Sequence, residues 1–236
     1  IFTNIKLITD DVFIPNIWRE MLHDIGMKDY KTKLGKNVVS PLTNFSIPRN
    51  EYVLFCPEGS NRAKTIDVEK ISSIIDYIED RYSIGIIISS DCRNKNYQNE
   101  LQKLISAHKL KSYLGNTTLD EFIHLVSNAR LVISCDTGAV HIAAVASVPC
   151  ICLSGYWDRA YFLPYQFDIH SDNDVFPIAL YPKDLPNCAY CGAKSEFAKD
   201  EQCQKKLIKG LSAKCNSDIN NEDVFIAIDN VLQIDR

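Results

Sequence analysis

Two short stretches of this chain gather the residue types that bind phosphate. The first is Asp136-Thr137-Gly138-Ala139-Val140-His141. It follows the apolar run Leu131 to Cys135 and leads into an alanine-rich segment ending at Ala146. A buried strand, a tight turn and a helix start make an anion site: the first amides of the helix lack intrahelical acceptors, and the helix dipole adds partial positive charge. Gly138 lets a ligand approach the backbone, and Thr137 offers a hydroxyl. Asp136 adds a carboxylate and His141 an imidazole. The plain alternative is a capping acid beside one satisfied histidine. The buried strand before the turn and the small-residue helix after it favour the ligand site. The second stretch is Gly59-Ser60-Asn61-Arg62-Ala63-Lys64, directly after the apolar run Tyr52 to Cys56. Ser60 can bond a phosphate oxygen, while Arg62 and Lys64 bring positive charge. Alone it would be a solvated loop; beside the Asp136 turn it completes an anion site.

Two further groups are less specific. Leu114-Gly115-Asn116-Thr117-Thr118 offers Asn116 and Thr117 to a base or ribose, and serves equally as a helix-capping turn. Cys188-Ala-Tyr-Cys191, with Cys203 and Cys215, supplies four thiols for a structural zinc. Loose thiols or a disulfide fit the same spacing, because half of the paired-knuckle pattern is missing. The chain has no G-x-G-x-x-G turn, no G-x-x-x-x-G-K loop and no G-x-S-x-G elbow.

The elements that must position these residues alternate. Tyr52–Cys56, Ile84–Ile88, Lys111–Leu114, Leu131–Cys135 and Pro149–Leu153 are short apolar runs of the kind buried on both sheet faces. Between them, Val68, Ile71, Ile74, Ile75 and Ile78 mark one helix face, and Asn99–His108 predicts another helix. Thr118 and Glu121 form a capping box ahead of a helix carrying Phe122, Ile123, Leu125 and Val126 inward. This alternation predicts an α/β fold: a Rossmann-like, mainly parallel sheet with helices on both faces. The turns at 57–64, 89–95, 115–118 and 136–138 then share the rim where such sheets bind ligands. Asp174–Tyr181 suggests one more strand, 182–219 reads as turn-rich, and Asn220–Asp223 caps a last helix. Near the start, Ile5–Ile8 suggests a strand and Asn16–Ile25 a helix.

Composition sets bounds. The 236 residues are 46% hydrophobic and 24% charged, with a formal charge of -4, so a core is supported and no global basic field for nucleic acid exists. No apolar run approaches a membrane span, and no signal peptide is evident. Cys56, Cys92, Cys135, Cys150 and Cys152 lie in or beside strands, which suggests reduced thiols and a cytoplasmic setting.

With these motifs in view, the chain resembles the heptosyltransferase family of glycosyltransferases, which build the lipopolysaccharide core from ADP-heptose. The resemblance covers about residues 50 to 155 well. Asp136 to Ala144 matches the family's D-[ST]-G-x-x-H-[LIM]-A-A turn. Gly59 to Lys64 matches its basic turn, and Gly115 to Glu121 its G-x-[TS]-[ST]-L-x-E stretch. The resemblance implies a GT-B fold, with this chain as the C-terminal, donor-binding half: residues 47–236 the nucleotide-sugar domain, residues 1–46 a remnant of the acceptor domain or a linker helix.

The implied roles follow. Thr137 and Gly138 hold the diphosphate, with Ser60, Arg62 and Lys64 as basic-turn partners. Asp136 bonds sugar hydroxyls, and His141 orients the turn or touches the diphosphate. Asp91, in the turn after Ile84–Ile88, is the candidate for the acidic ribose contact; a different donor is the alternative. The reaction implied is a metal-independent, inverting transfer from a nucleotide-diphosphate sugar to a lipopolysaccharide or other glycan acceptor. Its catalytic base, and any peripheral membrane contact, are expected in an acceptor domain outside this sequence. The rivals are a nucleotide-sugar epimerase, expected to carry acids on the first turn of the helix after Asp136, and a non-catalytic nucleotide-sugar-binding or assembly module.

Overall fold

The computed structural model describes residues 15, 23, 31–36, 47, 51–158, 162–184, 191, 192 and 194–233. The expected strand at Ile5–Ile8, and all but His23 of the expected helix at Asn16–Ile25, lie outside them. Six strands form one sheet: β1 (Tyr52–Cys56), β2 (Gly85–Ser90), β3 (Lys111–Leu114), β4 (Leu131–Cys135), β5 (Cys150–Leu153) and β6 (Ile178–Leu180). Every pairing is parallel, in the order β3-β2-β1-β4-β5-β6. The chain winds outward from β1 in one direction and from β4 in the other. A crevice therefore opens between the carboxyl ends of β1 and β4, the topological switch point.

Helices α1 (Val68–Arg81), α2 (Lys95–His108), α3 (Leu119–Ser127) and α4 (Gly138–Val145) cross between consecutive strands. They fall on both faces because successive strand residues point oppositely. Val53 and Phe55 of β1 pack with Ile71, Ile74 and Ile78 of α1 and Leu101 of α2. Tyr52, Leu54 and Cys56 pack with Leu125 of α3 and Val140 and Ala143 of α4. All five residues of β1 and of β4 are buried, as double coverage requires. The Tyr52 hydroxyl sits within the second layer and donates to the Leu125 carbonyl at 2.6 Å.

Beyond β6 the chain makes α5 (Glu201–Ile208), the short α6 (Lys214–Ser217) and α7 (Asn221–Leu232). Helix α7 returns to the α1 face, burying Val224, Ile228 and Leu232. Among its described residues the 182–219 region thus holds two α-helices and a short 3-10 helix (Ser195–Phe197) where turns were expected. The edge strand β6 has three residues rather than the eight of Asp174–Tyr181.

Candidate functional site

A pocket of about 270 Å³ lies at the switch point. Residues following β1 (Glu58, Gly59, Ser60), β2 (Asp91, Arg93) and β4 (Asp136, Thr137, Gly138, Ala139) line it, and Phe122 of α3 forms an apolar wall. The core of the site is the start of α4. Thr137 is the extended N-cap, and no side chain caps the helix. Its hydroxyl is instead held over the strand end, 3.1 Å from Ser134 Oγ. A Cβ added at Gly138 would meet nothing within 4 Å, so the helix start faces open space. An uncapped N-terminus opening on a pocket is suited to a ligand's anionic oxygens.

Helix α2 behaves differently. Its entry is filled by the Glu58 carboxylate, which accepts from Ser90 Oγ (2.5 Å) and from the amides of Cys92 (2.7 Å), Arg93 (2.9 Å) and Asn94 (3.3 Å). Glu58 thereby ties the turn after β1 to the turn after β2. Its charge is spent inside the protein, which leaves α4 as the helix start turned toward the pocket. Arg93 pairs with Asp91 at 2.8 Å, both well exposed at the rim. Cys56 also lines the pocket. Burial pushes its thiol far above the ordinary range, so it is a protonated, apolar wall.

The pocket brings together Ser60, Asp91, Asp136, Thr137 and Gly138. Arg62, Lys64, Asn116, Thr117 and His141 stand outside its lining. Arg62 pairs with Asp67 at 3.2 Å and lies 4.6 Å over the Tyr97 ring, with 13% of its side chain exposed. Lys64 Nζ lies 5.8 Å from the centroid of the Trp157 ring, just beyond β5. Asn116 and Thr117 precede the capping box that Thr118 and Glu121 form at α3. His141 Nδ1 meets the Tyr165 hydroxyl at 2.6 Å, and burial lowers its pKa. Glu58, Arg93 and Phe122 are site residues that sequence reasoning missed. Arg93 had a weak signal, a cation two residues after Asp91 in a rim turn. Glu58 had none, because its partners lie more than 30 positions away.

A second cluster lies behind the basic turn. Buried Cys191, Cys203 and Cys215 pack with Ala63, Trp157 and Ala213. Cys188 lies outside the described residues. Gly192 has φ +60°, and the Lys194 amide returns to the Cys191 carbonyl at 3.2 Å. This is a tight knuckle after the second cysteine of the CxxC pair. Trp157 Nε1, in the same cluster, is buried with no hydrogen-bond partner among the described residues. Cys191, Cys203 and Cys215 thus share one small buried cluster; among the described residues, the group whose metal-ligating atoms lie within 4.8 Å of one another is Asp76, Glu79 and His108. Among the described residues, no helix is long and apolar enough to cross a membrane.

Residues 22–171 match the sequence profile of glycosyltransferase family 9 (heptosyltransferase). The chain belongs to this family. The fold agrees with solved structures. A family 9 glycosyltransferase from Veillonella parvula DSM 2008 is 17% identical, with TM-score 0.64, covering 97% of this chain and 62% of that one. ADP-heptose LPS heptosyltransferase II of E. coli is 13% identical, with TM-score 0.54, covering 91% and 50%. The iron-containing dodecameric glycosyltransferase TibC from enterotoxigenic E. coli H10407 is 12% identical, with TM-score 0.53, covering 84% and 48%. TibC is also solved in complex with ADP-D-β-D-heptose. The chain spans less than two thirds of the length of these relatives. No curated protein matches the chain.

Proposed function

We propose that this chain is the donor-binding half of a family 9 glycosyltransferase, which takes an ADP-heptose-like nucleotide sugar and passes the sugar to a lipopolysaccharide or other glycan acceptor. The observation that carries the proposal is the uncapped start of α4 at the switch-point pocket. In this reading the amides of Gly138 and Ala139 and the Thr137 hydroxyl hold the diphosphate, and Ser60 closes on it from the neighbouring turn. Arg93, which lines the pocket, offsets the charge that develops as the nucleoside diphosphate departs, and Lys64, outside the lining, adds positive charge from the neighbouring turn. Phe122 provides a face for the base and Asp91 a contact for the ribose, while Asn116 and Thr117, outside the pocket lining, serve the turn that leads into the α3 capping box. Asp136 takes sugar hydroxyls, since a carboxylate beside phosphate would be repelled. His141, with its pKa lowered by burial, acts as a neutral support for the α4 turn. The transfer is inverting and needs no metal at the reacting atoms; its base comes from an acceptor domain. Helix α4 has no acid in its first turn, which favours transfer over epimerisation.

The four tail cysteines Cys188, Cys191, Cys203 and Cys215 hold one structural metal ion, zinc or iron, which would supply a crosslink for the tail. The protein works in the cytoplasm, where thiols stay reduced; the free strand thiols Cys56, Cys135, Cys150 and Cys152 support this.

Isothermal titration of the folded chain with ADP, UDP and GDP tests the donor assignment. Binding of ADP in preference to the others is expected. A folded protein that binds none of the three overturns it.

A further inference from the structure

The tail does more than cover the sheet: it is bonded to the turn that carries Ser60 and Lys64. Thr65 is the joint. Its carbonyl accepts from the Ser212 hydroxyl and from Asn216 Nδ2 at 2.9 Å. Its own hydroxyl donates to the Asn61 carbonyl at 3.0 Å and accepts from the Gly59 amide at 3.1 Å. Next to it, the Ala213 amide donates to the Ala63 carbonyl at 2.9 Å. One turn further on, Ser217 Oγ donates to Asp67 at 2.8 Å, the carboxylate that also holds Arg62. Ser212 and Asn216 are each about 1% exposed. Water therefore does not replace these bonds, and removing a donor leaves a buried acceptor short of partners.

The turn has little freedom of its own to absorb a shift. A Cβ at Gly59 would fall 2.7 Å from Lys64 Cβ, so the two ends of the turn are already in contact. The tail segment is fixed in its own right by the cysteine cluster. Cys215 is the immediate neighbour of Asn216, and its sulfur would lie 2.7 Å from a Cβ at Gly155.

We propose that Asn216 and Ser212 are positioning residues for the diphosphate-binding turn, with the cysteine-centred tail as the brace that sets where Ser60 and Lys64 stand. They touch no ligand; they act through Thr65. The proposal rests on the donor-binding reading above. It predicts that donor affinity follows the integrity of the tail, although none of the tail's described residues lines the pocket.

The test compares Asn216→Ala and Ser212→Ala with Tyr77→Phe in the full chain. Tyr77 bonds Asp229 across α1 and α7 at 2.9 Å, remote from the turn, and serves as a control for lost stability. Two readouts are taken: ADP affinity by calorimetry, and amide hydrogen exchange over residues 59–66 without ligand. Asn216→Ala is expected to weaken ADP binding about tenfold and Ser212→Ala less, with faster exchange at Gly59, Lys64 and Thr65. Tyr77→Phe should leave both readouts unchanged. ADP affinity within twofold of the parent in Asn216→Ala, or unchanged exchange in the turn, overturns the brace. Should Asn216→Ala not fold, Ser212→Ala decides by the same criteria, with a loss of affinity beyond twofold and faster exchange supporting the brace. If the parent itself ignores ADP, the donor reading falls, and the exchange data alone judge the brace.

Discussion

At the scale of single residues, the site divides into groups that face the pocket and groups held elsewhere. Asp136 and His141 illustrate this, five positions apart on the same turn and helix. Asp136 lines the pocket, whereas the His141 ring lies against Tyr165 and within 6.3 Å of Phe162. Burial penalises the charged imidazolium, so the folded pKa falls below its ordinary 6.5. The linkage has a definite sign. Between the lowered folded pKa and 6.5 the unfolded chain binds more protons, so stability falls as pH drops through that window. His141 then contributes fully above 6.5 and progressively less in acid. Thermal unfolding of the parent and of His141→Gln at pH 7.5 and 5.5 checks this. The parent should lose more stability on acidification than the variant, and equal losses would contradict the assignment.

At the scale of elements, the decisive object is the start of α4. Glycine there leaves a gap that alanine would fill without touching protein atoms. Gly138→Ala should therefore fold normally, with stability unchanged or raised by up to about 1 kcal/mol from better helix propensity. The new methyl would stand where a diphosphate must approach the amides, so ADP affinity should fall at least about tenfold. A variant with parental stability and parental affinity would move the diphosphate away from α4. This element was legible in the sequence, and so were most others, for one physical reason: strands buried on both faces leave continuous apolar runs, as in Leu131–Cys135. The capping box at Thr118 and Glu121 was legible because it is a local device. Helix α5 was not. Its sequence, Glu201 to Ile208, buries only Cys203, so no apolar stripe announces it. The β6 edge was overestimated because Val175–Pro177 is apolar without joining the ladder. At the site, residues fixed by a strand-to-helix turn could be read, whereas Glu58 and Arg93 owe their places to contacts between different crossovers.

For the whole molecule, the two sheet layers and the tail are stabilised by different means. Each layer has a core of large aliphatic residues from several helices. The tail's own cluster is small and consists mainly of alanine, tryptophan and cysteine. Burial of so few apolar groups offsets little of the entropy of ordering 191–217. A tetrathiolate metal would offset much more, since metal binding to a site absent from the unfolded chain adds to folding free energy. The protein purified without chelators should therefore carry close to one metal ion per chain. Elemental analysis identifies it, and a ferric ion bound to thiolates absorbs visible light where zinc does not. Cys203→Ser should lower metal content and cost about 2 kcal/mol or more, with new proteolytic cleavage confined to the tail while the sheet persists. Metal-free protein with a protease-resistant tail would show that packing and the Thr65 bonds suffice to hold it.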